Sequence, residues 1–284
     1  MKFFRRSGTL PLGVDIGAET VSVVSAAAFG NGFAVTETHT LKVPRVDADQ
    51  LDLKVAETIG QIVRRLETSE RRCVLAAPST DLVTRIFCSP PGMRRPEAER
   101  AATLEADTIV DWPASERLVS LDQIPGSNEK MLLSIARSST VERLIAIARA
   151  GGLRAVAVDV PACAWRRAVP EADAVLDCSG DRAELVVFGK PLGLTAVFPP
   201  RLIDERVAGH VRTALVQARR DGIADVQRLA ILGSRFQYES IEALLRTDGY
   251  IISPVTLSGL EAPTWTFAFG LASWSIALRG LVAI

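Results

Sequence analysis

Histidine is nearly missing from this chain: His39 and His210 are the only two among 284 residues. That is a poor basis for histidine-centred catalysis. The four cysteines, Cys73, Cys88, Cys163 and Cys178, include no C-x-x-C pair, so zinc-ligand spacing is missing as well. Three of them sit in apolar strings, which reads as free thiols in a reducing, cytoplasmic compartment and not as a disulfide framework. Net charge is zero, with 33 Lys and Arg against 33 Asp and Glu. This argues against a protein that coats nucleic acid, whose affinity comes from neutralising phosphates. Long apolar runs are lacking too. The uncharged stretch from Ala262 to Leu278 falls short of the roughly 20 residues of a comfortable span and is diluted by Pro263 and Gly270. It reads as a buried core helix over Phe267–Leu281. Met1 to Gly8 lacks the apolar segment and cleavage site of a signal peptide. It reads either as a plain basic terminus or as a membrane-surface tether, with Phe3 and Phe4 to insert and Arg5 and Arg6 to meet anionic lipid.

What is present is an ordinary globular composition, 48% hydrophobic and 23% charged, in a length that suits about two domains. Leu12–Ile16, Val21–Phe29 and Phe33–Leu41 read as a three-stranded meander with a Gly30-Asn-Gly turn. Asp47–Leu66 repeats Leu51, Val55, Ile59, Ile62 and Leu66 at helical spacing, and Cys73–Ala77 is a short buried strand. The same order returns later. Ala174–Cys178, Glu184–Phe188 and Leu194–Phe198 read as strands, Leu202–Arg220 as a helix, Leu229–Gly233 as a strand, Gln237–Arg246 as a helix and Tyr250–Val255 as a strand. The pattern is an internal duplication of an α/β unit. Between the halves, strands at Asp81–Ser89, Leu118–Ile124 and Met131–Ala136 alternate with helices at Pro96–Val110 and Thr140–Ala150, the second stopped by Gly151-Gly152. The expected organisation is a first lobe over 1–79, a small α/β insert over 80–157, a return to the first lobe over 158–173, and a second lobe over 174–284.

Each half places an aspartate and a glycine turn after its first strand: Asp15-Ile-Gly17 leading to Thr20, and Asp177-Cys-Ser-Gly180. A strand-end carboxylate can orient Mg²⁺ through water while the turn amides face phosphate. A third piece, Leu229 to Gly233-Ser234, would lie by an adenosine. As simple turns, Asp15 and Asp177 would instead cap backbone amides.

With these three pieces in this order, the chain resembles the actin-like ATPase superfamily and, within it, the PilM family of type IV pilus assembly, related to FtsA. The opening Met1-Lys-Phe-Phe-Arg-Arg followed by Gly13-Val-Asp-Ile-Gly, Ala77-Pro, Pro91-Gly-Met, Trp112-Pro, Ala150-Gly-Gly-Leu, Val158-Asp and the closing Gly270-Leu-Ala through Leu278-Arg-Gly-Leu are similar to that family along nearly the whole chain. The resemblance implies a two-lobed actin-like fold, a ribonuclease-H-like duplication with a small α/β insert in the first lobe. It implies nucleotide-binding positions at Asp15, Gly17, Thr20, Asp177, Gly180, Gly233 and Ser234, with Asp15 on the metal. The sequence departs from the family at these motifs. Ser22 replaces a lysine, Glu19 and Asp181 add negative charge, and Ser179 and Arg182 replace a glycine and a threonine. The second lobe is reduced, with room for one helix between Phe198 and Leu229. Lost or repulsive charged contacts of about 1–3 kcal/mol each would together erase micromolar binding, so the reading favours loss of ATP and Mg over their retention.

The function implied is a non-enzymatic cytoplasmic scaffold, peripheral at the inner membrane. It would bind the cytoplasmic tail of a PilN-like membrane protein in a groove between the first lobe and the insert, lined from Leu82–Phe87. A working ATP-binding switch of the same machinery is the alternative, and a scaffold like GspL of type II secretion is another. The absence of a membrane anchor favours the PilM-like arrangement over the latter, and self-association stays open.

Overall fold

The structure, a computed structural model, describes residues 10–29, 32–123, 129–178, 183–188, 195–198, 205–220, 224–232, 235–246, 248–254, 256–257, 260–261 and 266–274. The chain begins with β1 (Leu12–Ile16), β2 (Thr20–Phe29) and β3 (Gly32–Lys42), then α1 (Leu51–Val63) and β4 (Arg72–Ala76). β5 (Leu82–Cys88), α2 (Arg95–Ile109), β6 (Arg117–Gln123) and β7 (Lys130–Arg137) follow, then α3 (Ser138–Ala150), β8 (Arg154–Asp159) and α4 (Pro161–Ala168). The second half holds β9 (Ala174–Asp177), β10 (Ala183–Val187), β11 (Thr195–Phe198), α5 (Glu205–Arg220), β12 (Arg228–Leu232), α6 (Arg235–Arg246) and β13 (Ile251–Pro254). A short two-stranded ladder, β14 (Thr256–Leu257) and β15 (Leu260–Glu261), precedes α7 (Thr266–Ala272).

Two five-stranded sheets repeat one topology. The first runs β3-β2-β1-β4-β8 and the second β11-β10-β9-β12-β13. In each, the meander is antiparallel and the two later strands are parallel to the first one. This is the duplication that the strand pattern predicts. Residue alternation divides each strand between two faces. Leu12, Val14, Val23 and Leu75 face α1 and α3, while Val24 and Ala26 face α7 and Val74 faces Ala164 of α4. In the second sheet Leu176, Leu185 and Ile231 face α5 and α6. Its other face, with Val175, Val186 and Ala230, covers Trp165 of α4. Helices α4 and α7 are therefore the filling between the two sheets.

Two glycines permit this sandwich. A Cβ on Gly13 would stand 1.7 Å from the Ala268 carbonyl oxygen, and one on Gly270 would stand 2.1 Å from that of Ala164. Only backbone fits between β1 and α7, and between α7 and α4. The junction is also pinned by an ion pair, Arg167 to Asp159, with both side chains buried. Arg167 Nε donates to the Gly270 carbonyl as well (2.9 Å), and the Val160 amide donates to Asp159 (2.8 Å).

The small antiparallel sheet β5-β7-β6 carries α2 on one face. Ala98, Ala102 and Ala106, four residues apart, bring that helix close over Leu121, Leu133 and Ile135. Helix α3 and the first four residues of strand β8 fall inside the segment 80–157 that the sequence pattern gives to the insert, yet both elements pack with the first lobe. Val141, Leu144 and Ile147 of α3 join the core under α1, and β8 extends the first sheet beside β4. Among the described residues no helix is long and apolar enough to cross a membrane. Cys73, Cys163 and Cys178 are buried free thiols and Cys88 is an exposed one. Burial pushes the three buried thiols up to about 12, so none is a reactive thiolate at neutral pH.

Candidate functional site

The parallel strands set the site. β9 ends in Asp177 and β1 carries Asp15 one residue before its end, and the lobes bring these ends together. Register places Asp15 beside Ser22 on β2 and Asp177 beside Glu184 on β10. Asp15 lies within the field of both Asp177 and Glu184. Its carboxyl is pushed up to about 7, first by burial and then by those two charges. Glu184 is raised too, by burial and by Asp177, against the pull of a hydrogen bond donated by the Ser79 hydroxyl. Ser79 stands just after β4, in a 3₁₀ turn at Ser79–Asp81. That bond ties the first lobe to the second.

The predicted first phosphate turn is present at Gly17–Thr20, but it is closed on itself. The Gly17 amide donates to the Thr20 carbonyl (2.9 Å) and is therefore not free for phosphate. Gly17 and Thr20 face each other across the turn. Glu19, expected to repel a phosphate, points to solvent and pairs with Arg45 at 2.7 Å. Gly180, Gly233 and Ser234 lie outside the described residues, as do Phe3, Phe4, Arg5 and Arg6. Of the seven expected nucleotide positions, the structure brings together Asp15 and Asp177 across the lobes, with Gly17 and Thr20 forming the adjoining turn. Glu184 is the member that sequence reasoning missed. Its signal was its place in the strand directly after the second Asp-turn, where a meander must set it across from Asp177.

Carboxylate oxygens are hard donors suited to Mg²⁺. Among the described residues, however, no three His, Cys, Asp or Glu side chains form a metal-binding group, and no Arg or Lys pairs with Asp15 or Glu184. Three mutually repelling carboxyls beside a self-satisfied turn do not fit a nucleotide phosphate.

A second feature lies where the insert meets the first lobe. Leu82 and Ile86 of β5 and Leu132 of β7 pack on Val160 and Cys163 around the start of α4. Phe87, expected in the same groove, points to the opposite face and packs with α2, because consecutive strand residues alternate. The Ser134 hydroxyl, one step along β7 on the Leu132 face, is buried without a hydrogen-bond partner.

A duplicated five-stranded unit, two helices between the sheets and facing strand-end aspartates define an actin-like fold. The family model described as Type IV pilus assembly protein PilM matches residues 13–189. The chain belongs to that family. Among solved structures, the PilM-PilN type IV pilus biogenesis complex is 19% identical, with a TM-score of 0.69 over 92% of this chain and 97% of the other. The cytoplasmic domain of EpsL, an inner membrane component of the type II secretion system of Vibrio cholerae, is 12% identical, with a TM-score of 0.55 over 92% and 93%. A Bacteroides thetaiotaomicron protein with an actin-like ATPase fold is 12% identical, with a TM-score of 0.51 over 89% and 94%. At these identities the structures speak for a shared fold.

Proposed function

We propose that this chain is a cytoplasmic scaffold of type IV pilus assembly, peripheral at the inner membrane, that binds the cytoplasmic tail of a PilN-like membrane protein. We assign the tail to the seam between the small sheet and the first lobe. The observation that carries the assignment is the buried Ser134 hydroxyl without a partner, on the face of β7 that also carries Leu132 and in register with Thr84 of β5 and Ser120 of β6. An unsatisfied buried hydroxyl costs about 1–3 kcal/mol, and a bound segment that supplied a polar group would recover it. Extended segments commonly dock in such strand-lined grooves.

The nucleotide cleft is degenerate in this reading. The closed Gly17–Thr20 turn and the raised Asp15 carboxyl support that, and the chain then works by holding partners and not by hydrolysis. Two measurements test the proposal. A fluorescent peptide of the partner tail should bind with saturation, and Ile86→Asp should weaken it at least tenfold. A folded wild type that fails to bind the peptide would remove the scaffold reading. Calorimetric titration with ATP and Mg²⁺ should give no saturable heat at millimolar nucleotide. Micromolar binding that disappears in Asp15→Ala would make the protein a nucleotide switch instead.

A further inference from the structure

The parallel strands of the first sheet begin at the end of the lobe opposite the aspartates. Register aligns Leu12 of β1 with Cys73 of β4 and Ala155 of β8, and Arg72 with Arg154. Helices α1 and α3 finish at that end as well. A Cβ on Gly151 would lie 2.5 Å from the Ile59 side chain, and one on Gly152 would lie 3.9 Å from Val63. Six arginines converge there: Arg64 and Arg65 after α1, Arg71 and Arg72 entering β4, Arg149 in the last turn of α3, and Arg154 opening β8.

Three carboxylates share this end, and two are engaged. Glu70 pairs with Arg72, and Glu37 holds His39 and the Glu67 amide. Glu67 is exposed. The Arg71 guanidinium is taken by the carbonyls of Thr68 and Glu70. Arg64, Arg65, Arg149 and Arg154 are exposed and make no ion pair among the described residues. Favourable placement at helix C-termini accounts for Arg64, Arg65 and Arg149 individually. It does not account for Arg154, nor for the shallow cavity of about 370 Å³ between Arg149 and Arg154, whose floor is Ile145, Leu153, Ala155 and Val156.

The described chain reaches the same end at Leu10, two residues before β1. The nine residues that precede it in the sequence carry Lys2, Arg5, Arg6, Phe3 and Phe4 and are attached there. We infer that this end of the first lobe is a docking face for an anionic membrane surface, with unpaired guanidinium groups meeting the lipid phosphates and an apolar-floored notch between two of them. The cleft, with Asp15, Asp177 and Glu184, then points away from the bilayer. The inference goes beyond peripheral association at the membrane, since it rests on arginines of the folded lobe.

Cosedimentation of the full chain with vesicles tests it, using phosphatidylcholine alone and phosphatidylcholine with one third phosphatidylglycerol. The chain should bind the anionic vesicles only, and should leave them at about 1 M salt, where the screening length is about 3 Å. Each cation near such a surface is worth about fivefold in affinity, so Arg149→Gln with Arg154→Gln should lower partitioning about 25-fold with an unchanged unfolding midpoint. Deleting residues 2–9 should leave a salt-sensitive remainder. Equal binding to both vesicle types would overturn the inference. So would no binding by the folded wild type, or a double variant that partitions like the wild type. Loss of all binding on deletion alone, with the double variant unaffected, would assign the membrane to the tail. The tail-peptide titration of the scaffold proposal would stand apart from any of these results.

Discussion

The Asp15 carboxyl carries its proton to near neutrality because it is partly buried and looks at two other carboxyls. Its folded value, about 7, lies above the ordinary 3.8. The folded state therefore holds more protons than the unfolded chain between those values, and stability must fall as pH rises through that window. Above about pH 7 the cost is complete, at up to roughly 4 kcal/mol before solvent screening. Asp15→Asn should thus stabilise the protein at pH 8, do little at pH 4, and flatten the intervening slope. Urea midpoints measured across this range would show it. Asp159 acts in the same direction. Burial lifts it to about 6 against the pull of Arg167. Removing Arg167 would leave that carboxyl buried without its cation, so Arg167→Ala should cost about 3–5 kcal/mol. Asp159→Asn added to it should recover part of the loss in the same denaturation experiment.

At the scale of elements, the glycines decide how close β1, α7 and α4 can come. Gly13→Ala and Gly270→Ala each force a methyl into backbone, and each should lower stability by about 3 kcal/mol or more, or prevent folding. Gly209 in α5 has open space around it, with nothing within 4 Å of where a methyl would stand. Gly209→Ala should therefore stabilise by about 0.5–1 kcal/mol, and equilibrium unfolding of the three variants separates these cases. Helices α1, α5 and α6 were legible in the sequence because each has one apolar face and one polar face, and the meanders were legible as short apolar runs parted by glycine-containing turns. Helix α4 was not. It spans only eight residues between the sheets, with Cys163, Ala164 and Trp165 all buried and Arg166 alone exposed, too short a stretch to show a clear period. The limits of the insert were hidden for a related reason. The apolar stripe of α3 says that the helix is buried but not against which core. Asp15 and Asp177 were legible as strand-end turns, whereas Glu184 joins them through sheet register, which no single strand reveals.

At the scale of the molecule, both sheets share α4 and α7, and a Ser79–Glu184 hydrogen bond crosses between the lobes. The lobes should therefore unfold together, giving one calorimetric transition whose enthalpy equals the van't Hoff value. Two separable transitions would mean that the shared helices belong to one lobe only. The charge distribution is uneven despite a net charge of zero. The strand beginnings of the first lobe are arginine-rich and its strand ends are acidic, so the first lobe carries an electrical axis along its strands.

The close fit of α7 on β1 has a consequence for synthesis. The first sheet leaves the ribosome early, with both of its faces apolar. α1 and α3 follow soon after and can cover one of them. The covering for Leu10, Val24 and Ala26 on the other is Ala268 and Ala272, more than two hundred residues later in the sequence. Helix α4 covers Val74 earlier, but the rest of that face stays bare until most of the polypeptide has been made, so the first lobe cannot complete its core before α7 arrives.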